Sequence, residues 1–236
     1  MCLLAVLWRA VDDVPLIVAA NREEAYDRPG TPPQVVSDPV RFVAGLDTRA
    51  GGTWLGINEH GVVVAVTNGP KTELPPRPRS RGTLTRELLQ CKSAKAAADR
   101  AATELDTKRY AGCNFLCVDG NGLYVIHGGD WLRVLPLPPG RHVMTNGNVN
   151  NAADPRIAQA LGYLAGRPTS ASGECLSTLS GLCTEPGMCI HGEKGGTVSS
   201  SLLLVPPNLA NGSYWHAQGS PDKHPYQDYS HLLREL

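Results

Sequence analysis

Residue 2 is a cysteine, and its chemistry depends on what precedes it. Removal of an initiator methionine is favoured when the next side chain is small, so Met1 is expected to leave and expose a free α-amine beside the Cys2 thiol. One residue then carries both nucleophile and base. An α-amine titrates near ~7.7–8.0 and a thiol near ~8.5, so at neutral pH part of the amine is unprotonated and can take the thiol proton directly or through one water. Taken alone, a cysteine at this position is equally a small buried hydrophobe on an edge strand, or a lipidation site.

Three apolar runs, residues 16–21, 62–68 and 141–146, end in asparagine: Asn21, Asn68 and Asn146. Strand ends on one edge of a sheet can converge, and asparagine amides can donate to the oxyanion formed when a thiolate attacks a carbonyl. Loss of one such donor typically costs ~2.7–4 kcal/mol of transition-state stabilisation. Asn68-Gly69 and Asn146-Gly147 are also favoured hairpin-turn dipeptides, so each has an ordinary structural reading beside the catalytic one. At the end of the first of these runs, Asn21-Arg22-Glu23-Glu24 supplies a guanidinium that would lower a thiol pKa and carboxylates that could hold an α-amine. If the strand continues through this cluster, Asn21 and Glu23 share one face and Arg22 takes the other.

These groups need a scaffold. Residues 3–8 and 16–20 are β-prone runs joined by Asp12-Asp13-Val14-Pro15, too short a connection for a crossover helix, so an antiparallel hairpin is expected. Neither run alternates polar with apolar, which implies burial on both faces. Residues 21–39 read as a long irregular loop, residues 54–57 and 62–67 as a second hairpin, and 71–81 as a proline-rich basic surface segment. Helices are expected over 83–89, over 93–105 with Ser93 as N-cap, and from Asp154-Pro155 to about 165, with a weaker one over 173–182. Residues 113–118, 123–127, 131–136 and 141–144 read as a four-strand meander, and 197–205 and 213–217 as further strands. No repeat and no linker divides the 236 residues, which are expected to form one domain.

Composition removes whole classes of function. The 22 basic and 22 acidic residues cancel, which argues against nucleic-acid binding through a global basic surface. With 42% apolar and 19% charged residues the chain is neither disordered nor membrane-spanning, and its N-terminus lacks the features of a signal peptide. Seven cysteines without a CxxC pair fit a reducing compartment, and a cytoplasmic location is expected. Cys183, Cys189 and His191 lack a fourth ligand at the usual spacing, so neither metal nor cofactor is expected. Cys113 and Cys117 read as small core residues, Ser199 to Ser201 as the solvated start of a strand, and His216, His224 and His231 as part of a surface tail or docking arm.

The blocks Met-Cys-Leu-Leu, Ala-Asn-Arg-Glu-Glu with Tyr26-Asp27-Arg28-Pro29, Gly52-Thr53-Trp54-Leu55-Gly56, and the run from Gly61 to Asn68 together resemble the NRDE family, that of the transport-and-Golgi-organisation proteins. The resemblance is densest in residues 1–70 and returns at Met144-Thr145-Asn146 and Gly196-Thr197. It implies an α+β fold of the N-terminal nucleophile hydrolase type, a four-layer αββα sandwich of two antiparallel sheets flanked by helices. The family is similar in turn to the penicillin V acylase and conjugated bile acid hydrolase group, which cleaves linear amides. By that likeness Cys2 is the nucleophile, its α-amine the base, and Asn68 and Asn146 line the oxyanion site; the charged cluster itself adds Asn21, Arg22 and Glu23 as substrate-binding or supporting residues. This sequence departs from the pattern at three places. Glu23 stands where the family has Asp, Ala20 where the amidase group has arginine, and Val198 where many members carry arginine.

Two functions follow from the resemblance. One is cysteine hydrolysis of an amide C–N bond in a small-molecule substrate, through a thioester. The other is a non-catalytic binding or trafficking role on the same scaffold, with a hydrophobic haem, lipid or acyl ligand. Oligomeric state is not readable from the sequence.

Overall fold

A computed structural model of the chain describes residues 2–167 and 171–236. Met1, on whose removal the free amine depends, lies outside the described residues. In chain order the elements are β1 (Leu3–Trp8), β2 (Leu16–Ala25), β3 (Gln34–Asp38), β4 (Val40–Ala44), β5 (Leu55–Asn58), β6 (Val63–Asn68), α1 (Arg81–Leu88), α2 (Ala94–Asp106), β7 (Cys113–Val118), β8 (Leu123–Gly128), β9 (Leu132–Pro136), β10 (Gly140–Met144), α3 (Pro155–Ala165), α4 (Ser172–Thr184), β11 (Gly195–Val205), β12 (Ser213–Ala217) and β13 (Gln227–Asp228). They form two compact units, each an antiparallel sheet with helices packed on it.

The first unit comprises the chain up to Arg28 and Pro139–Glu235. Its six strands run in the order β10-β1-β2-β11-β12-β13. Leu3, Ala5, Leu7, Ile17, Ala19 and Leu202 form one face and pack with Ile157, Ala160 and Leu164 of α3 and Leu179 and Leu182 of α4. Leu4, Val6, Leu16 and Val18 point the other way and are buried as well, which is why neither strand alternates in polarity. The helix α3 starts where the sequence says it should. Asp154 caps it by accepting the backbone N–H of Arg156 at 2.9 Å, with Pro155 at the first turn, where a missing N–H costs nothing.

The second unit, Pro29–Pro138 with Leu236, holds a seven-stranded sheet in the order β3 to β9. Phe42, Val64, Phe115 and Ile126 pack with Leu84 and Leu88 of α1 and with Ala97, Ala98 and Ala101 of α2. The alanines recur at helical spacing along α2 and bring it close to the sheet, and Ser93 caps it as expected. Between β5 and β6, buried Asn58 accepts the N–H groups of His60 and Val62 at 3.0 Å each, while Gly61 takes a positive φ of 74°.

Four expectations are corrected. Residues 21–39 are not one long loop: β2 runs on to Ala25 because β11 pairs with it as far as Gly195, and after a connection over 26–33 comes β3, an edge strand whose polar, exposed residues hide its pattern. The meander has three strands, β7 to β9, because β10 pairs with β1 in the other sheet. Ser199, Ser200 and Ser201 are buried inside β11. His216 is no tail residue either: it lies buried in β12, bonded to Ser201 Oγ at 2.9 Å.

Candidate active site around Cys2

Cys2 is half-buried at the very start of β1, in the first unit. Leu3 lies opposite Asn21 of β2, so residue 2 falls opposite Arg22, and Arg22 in turn faces Ser199 of β11. Directly opposed residues share a face, which puts Cys2, Arg22 and Ser199 on one side of the sheet and Asn21 and Glu23 on the other. The Cys2 backbone nitrogen donates to Asn146 Oδ1 at 3.2 Å. The thiol receives the backbone N–H of Glu23. Burial pushes that thiol above its ordinary pKa and the Glu23 carboxylate adds to the effect, while the Glu23 N–H and the Arg22 guanidinium oppose it. A thiol so held is protonated at neutral pH and needs a base at hand to react.

Asn146 follows the end of β10, and its segment is pinned on both sides. Thr145 Oγ1 donates to Asp154 Oδ2 at 2.9 Å, tying the strand end to the cap of α3. Asn150, at a left-handed φ of 56°, accepts the Val143 N–H at 2.9 Å and returns its own N–H to the Val143 carbonyl. The loop from 145 to 154 is therefore tied at its ends to the cap of α3 and in its middle to the backbone of β10.

Of the three strand-terminal asparagines, only Asn146 meets Cys2 within this unit. Asn21 is fully buried in mid-strand, and its Nδ2 donates to the carbonyls of Cys183 at 2.9 Å and Met188 at 3.0 Å, clamping the end of α4 to β2. Asn68 ends β6 in the second unit, with an exposed side chain. Its carbonyl accepts Asn114 Nδ2 at 3.2 Å, and Asn114 Oδ1 meets His127 Nδ1 at 2.7 Å.

Glu23 reaches a partner that sequence reasoning missed. Its carboxylate forms a two-pronged ion pair with Arg156, whose Nη1 lies 3.1 Å from Oε2 and whose Nη2 bonds Oε1. Arg156 also donates to the Met188 carbonyl at 2.9 Å. Side-chain exposure is 3% for Glu23 and 14% for Arg156, so the pair is buried, and burial pushes the Glu23 carboxyl up while Arg156 opposes the shift. A signal was present in the sequence. A cation in the first turn of a helix faces the positive end of the macrodipole, an unfavourable place that calls for a neighbouring carboxylate.

Comparison with known proteins follows the same lines. Residues 1–165 match the family model described as Transport and Golgi organisation 2. Over 77 residues the chain is 40% identical to the Transport and Golgi organization 2 homolog of Mus musculus, a stretch covering 31% of this chain and 28% of the mouse protein. It thus matches less than a third of that relative's length. A Caenorhabditis elegans N-acylethanolamine-hydrolyzing acid amidase ortholog is 13% identical, with a TM-score of 0.61 over 86% of this chain and 92% of that one. Penicillin V acylase from Agrobacterium tumefaciens is 11% identical, with a TM-score of 0.62 over 100% and 89%. Likeness at such identities shows the fold, which is α+β and of the N-terminal nucleophile hydrolase type. Among the described residues no helix is long and apolar enough to cross a membrane.

Proposed function

Because the chain belongs to the Transport and Golgi organisation 2 family and has a hydrolase fold, we propose that it is an N-terminal cysteine hydrolase acting on a non-peptide amide C–N bond through a thioester. One observation carries this reading: the nitrogen of residue 2 has a carbonyl acceptor, Asn146 Oδ1, at 3.2 Å. With Met1 present that nitrogen is an amide and has no basicity. Once Met1 is removed it is an amine whose N–H is held by Asn146, leaving its lone pair for the thiol proton.

The reaction then balances on Cys2 alone. The amine takes the Sγ proton, the thiolate adds to the substrate carbonyl, and the C–N bond breaks as the ammonium returns that proton to the departing amine. Water, deprotonated by the same α-amine, hydrolyses the thioester and frees the thiol. With Oδ1 turned toward the Cys2 nitrogen, Asn146 Nδ2 is the end available to the oxyanion. Asn68 enters as second donor through the family resemblance. Arg22 opposes the burial of the thiol, and Glu23 holds it by its backbone N–H.

The test is made on purified full-length protein. Intact mass should show loss of Met1, a mild thiol electrophile should label Cys2 ahead of the other six cysteines, and Cys2→Ala should abolish turnover of a panel of fluorogenic N-acyl amides. Full retention of Met1 in protein that still turns over amides sinks the mechanism, because its base would be acylated.

A ligand-binding role on the same scaffold is the second reading, favoured by Val198. It is the extra residue of a bulge in β11, between Thr197 opposite Glu23 and Ser199 opposite Arg22, where many relatives carry arginine. This reading expects haem, acyl-CoA or lipid to raise the melting temperature with no amide turned over. Amide turnover without any ligand shift rejects it.

A further inference from the structure

Apart from the Cys2 site, the first unit gathers three unlike metal-binding side chains at one point. Cys189 Sγ lies 3.2 Å from Asp222 Oδ1 and 3.7 Å from His191 Nε2, and His191 Nε2 lies 2.8 Å from Asp222 Oδ2. Each side chain offers a single donor atom to the same small space. We propose that Cys189, His191 and Asp222 form a binding site for a thiolate-accepting divalent transition ion, zinc above all.

The spacing suits such an ion. A tetrahedral zinc with bonds of about 2.3 Å to sulfur and 2.0–2.2 Å to nitrogen and oxygen has ligand–ligand edges of ~3.5 Å from sulfur and ~3.3 Å between nitrogen and oxygen. The sulfur–nitrogen edge of 3.7 Å is already close to that length, and the carboxylate, which meets sulfur through Oδ1 and nitrogen through Oδ2, need only turn to present one oxygen to the ion, since one donor atom from each residue lies within 4.8 Å of the other two. The roles of the ring nitrogens matter here. In a hydrolytic triad the nucleophile and the carboxylate engage opposite nitrogens of the imidazole, whereas here both meet Nε2, which is the pattern of co-ligands rather than of a relay.

The backbone holds the donors in place without the ion. Cys189 and His191 are two apart on an extended segment, so they share a face. That segment is fixed by the Ile190 N–H to Thr197 Oγ1 at 2.9 Å, by the Thr197 N–H to the Ile190 carbonyl at 2.8 Å, and by a bridge between His191 and Gly196. Asp222 arrives on a turn closed by the N–H groups of Lys223 and His224 on the Ser220 carbonyl. Cys189 is buried, whereas the His191 and Asp222 side chains are 40% and 31% exposed, so an ion enters from solvent and keeps water as its fourth ligand. On binding, Sγ loses its proton to solvent and the imidazole proton moves from Nε2 to Nδ1, a net release of one proton per ion. The ion would cross-link the 189–191 segment to the turn at 220–224, which a hydrogen-bonded trio does only weakly.

The site is independent of the hydrolase reading. Chelator-treated full-length protein is titrated with Co(II), followed by its thiolate-to-metal charge-transfer band and the intense visible bands of a tetrahedral centre, and then challenged with Zn(II). One Co(II) per chain is expected, displaced by Zn(II), with a higher melting temperature for the loaded protein. Cys189→Ser should remove the charge-transfer band. The exposed His191→Ala and Asp222→Asn should weaken binding by about ten-fold or more, as loss of a ligand costs at least what loss of its outer partners does. Cys2→Ala should leave binding unchanged while ending amide turnover, so the two proposals fail separately. Absence of saturable binding overturns the site, as does a charge-transfer band that survives Cys189→Ser or disappears with Cys2→Ala.

Discussion

At residue 2 the thiol and the amine that loss of Met1 would expose are under opposite demands. Burial raises the thiol and keeps its proton on, so the sulfur is inert unless the adjacent nitrogen is free to take it. Asn146 and Asn21 serve this arrangement in different ways although both stand near strand ends in the sequence. Asn146→Ala removes a half-buried amide bonded to the Cys2 nitrogen, and should lower kcat on an amide substrate by about 10²–10³ with little loss of stability. Asn21→Ala strips the Cys183 and Met188 carbonyls of their donor in the core and should cost ~1–3 kcal/mol in denaturant unfolding, with selective labelling of Cys2 retained. Equal effects of the two variants on both readouts would contradict these assignments.

Among the elements, local chemistry made some legible and long-range pairing hid others. The N-caps Ser93 and Asp154, the apolar runs of β1 and β2, and the Gly61 turn announce themselves within a few residues, and the structure has them where the sequence puts them. β10 looks like the last strand of a meander, but its partner is β1 at Leu3–Trp8, far away in the sequence, and no local pattern reports that choice. Likewise Cys2 could be placed beside Arg22 only once the register of β1 on β2 was known. The Glu23–Arg156 pair spans 133 residues and joins β2 to the first turn of α3, whose cap also holds the Asn146 segment. Cutting one side of a buried pair leaves an uncompensated charge, so Arg156→Met should destabilise the protein by ~3–5 kcal/mol. Adding Glu23→Gln to that variant should recover part of the loss, and a double-mutant cycle in urea measures the coupling. Additive losses would mean that the two side chains merely touch.

Across the whole molecule each unit carries a buried, neutral histidine, and this makes acid sensitivity a property of both. Burial holds His216 of the first unit below its ordinary pKa. In the second unit burial, with Arg133 adding to it, takes His127 from 6.5 down to about 4, and its Nε2 is buried without a hydrogen-bond partner. Its other nitrogen meets Asn114, whose Nδ2 supports the Asn68 carbonyl, so charging the ring threatens the strand end that carries a proposed oxyanion donor. The unfolded chain binds a proton near pH 6.5, whereas the folded one resists until about pH 4. His127 therefore contributes stability that is fully present above pH 6.5 and is lost as the pH falls through that window, amounting to about 3 kcal/mol at most. Urea midpoints between pH 7 and 4 should fall steeply in the native sequence and less so in His127→Gln, which cannot take up the proton. If the two profiles run parallel, the imidazole is not buried neutral, and the link from His127 through Asn114 to Asn68 carries no pH dependence.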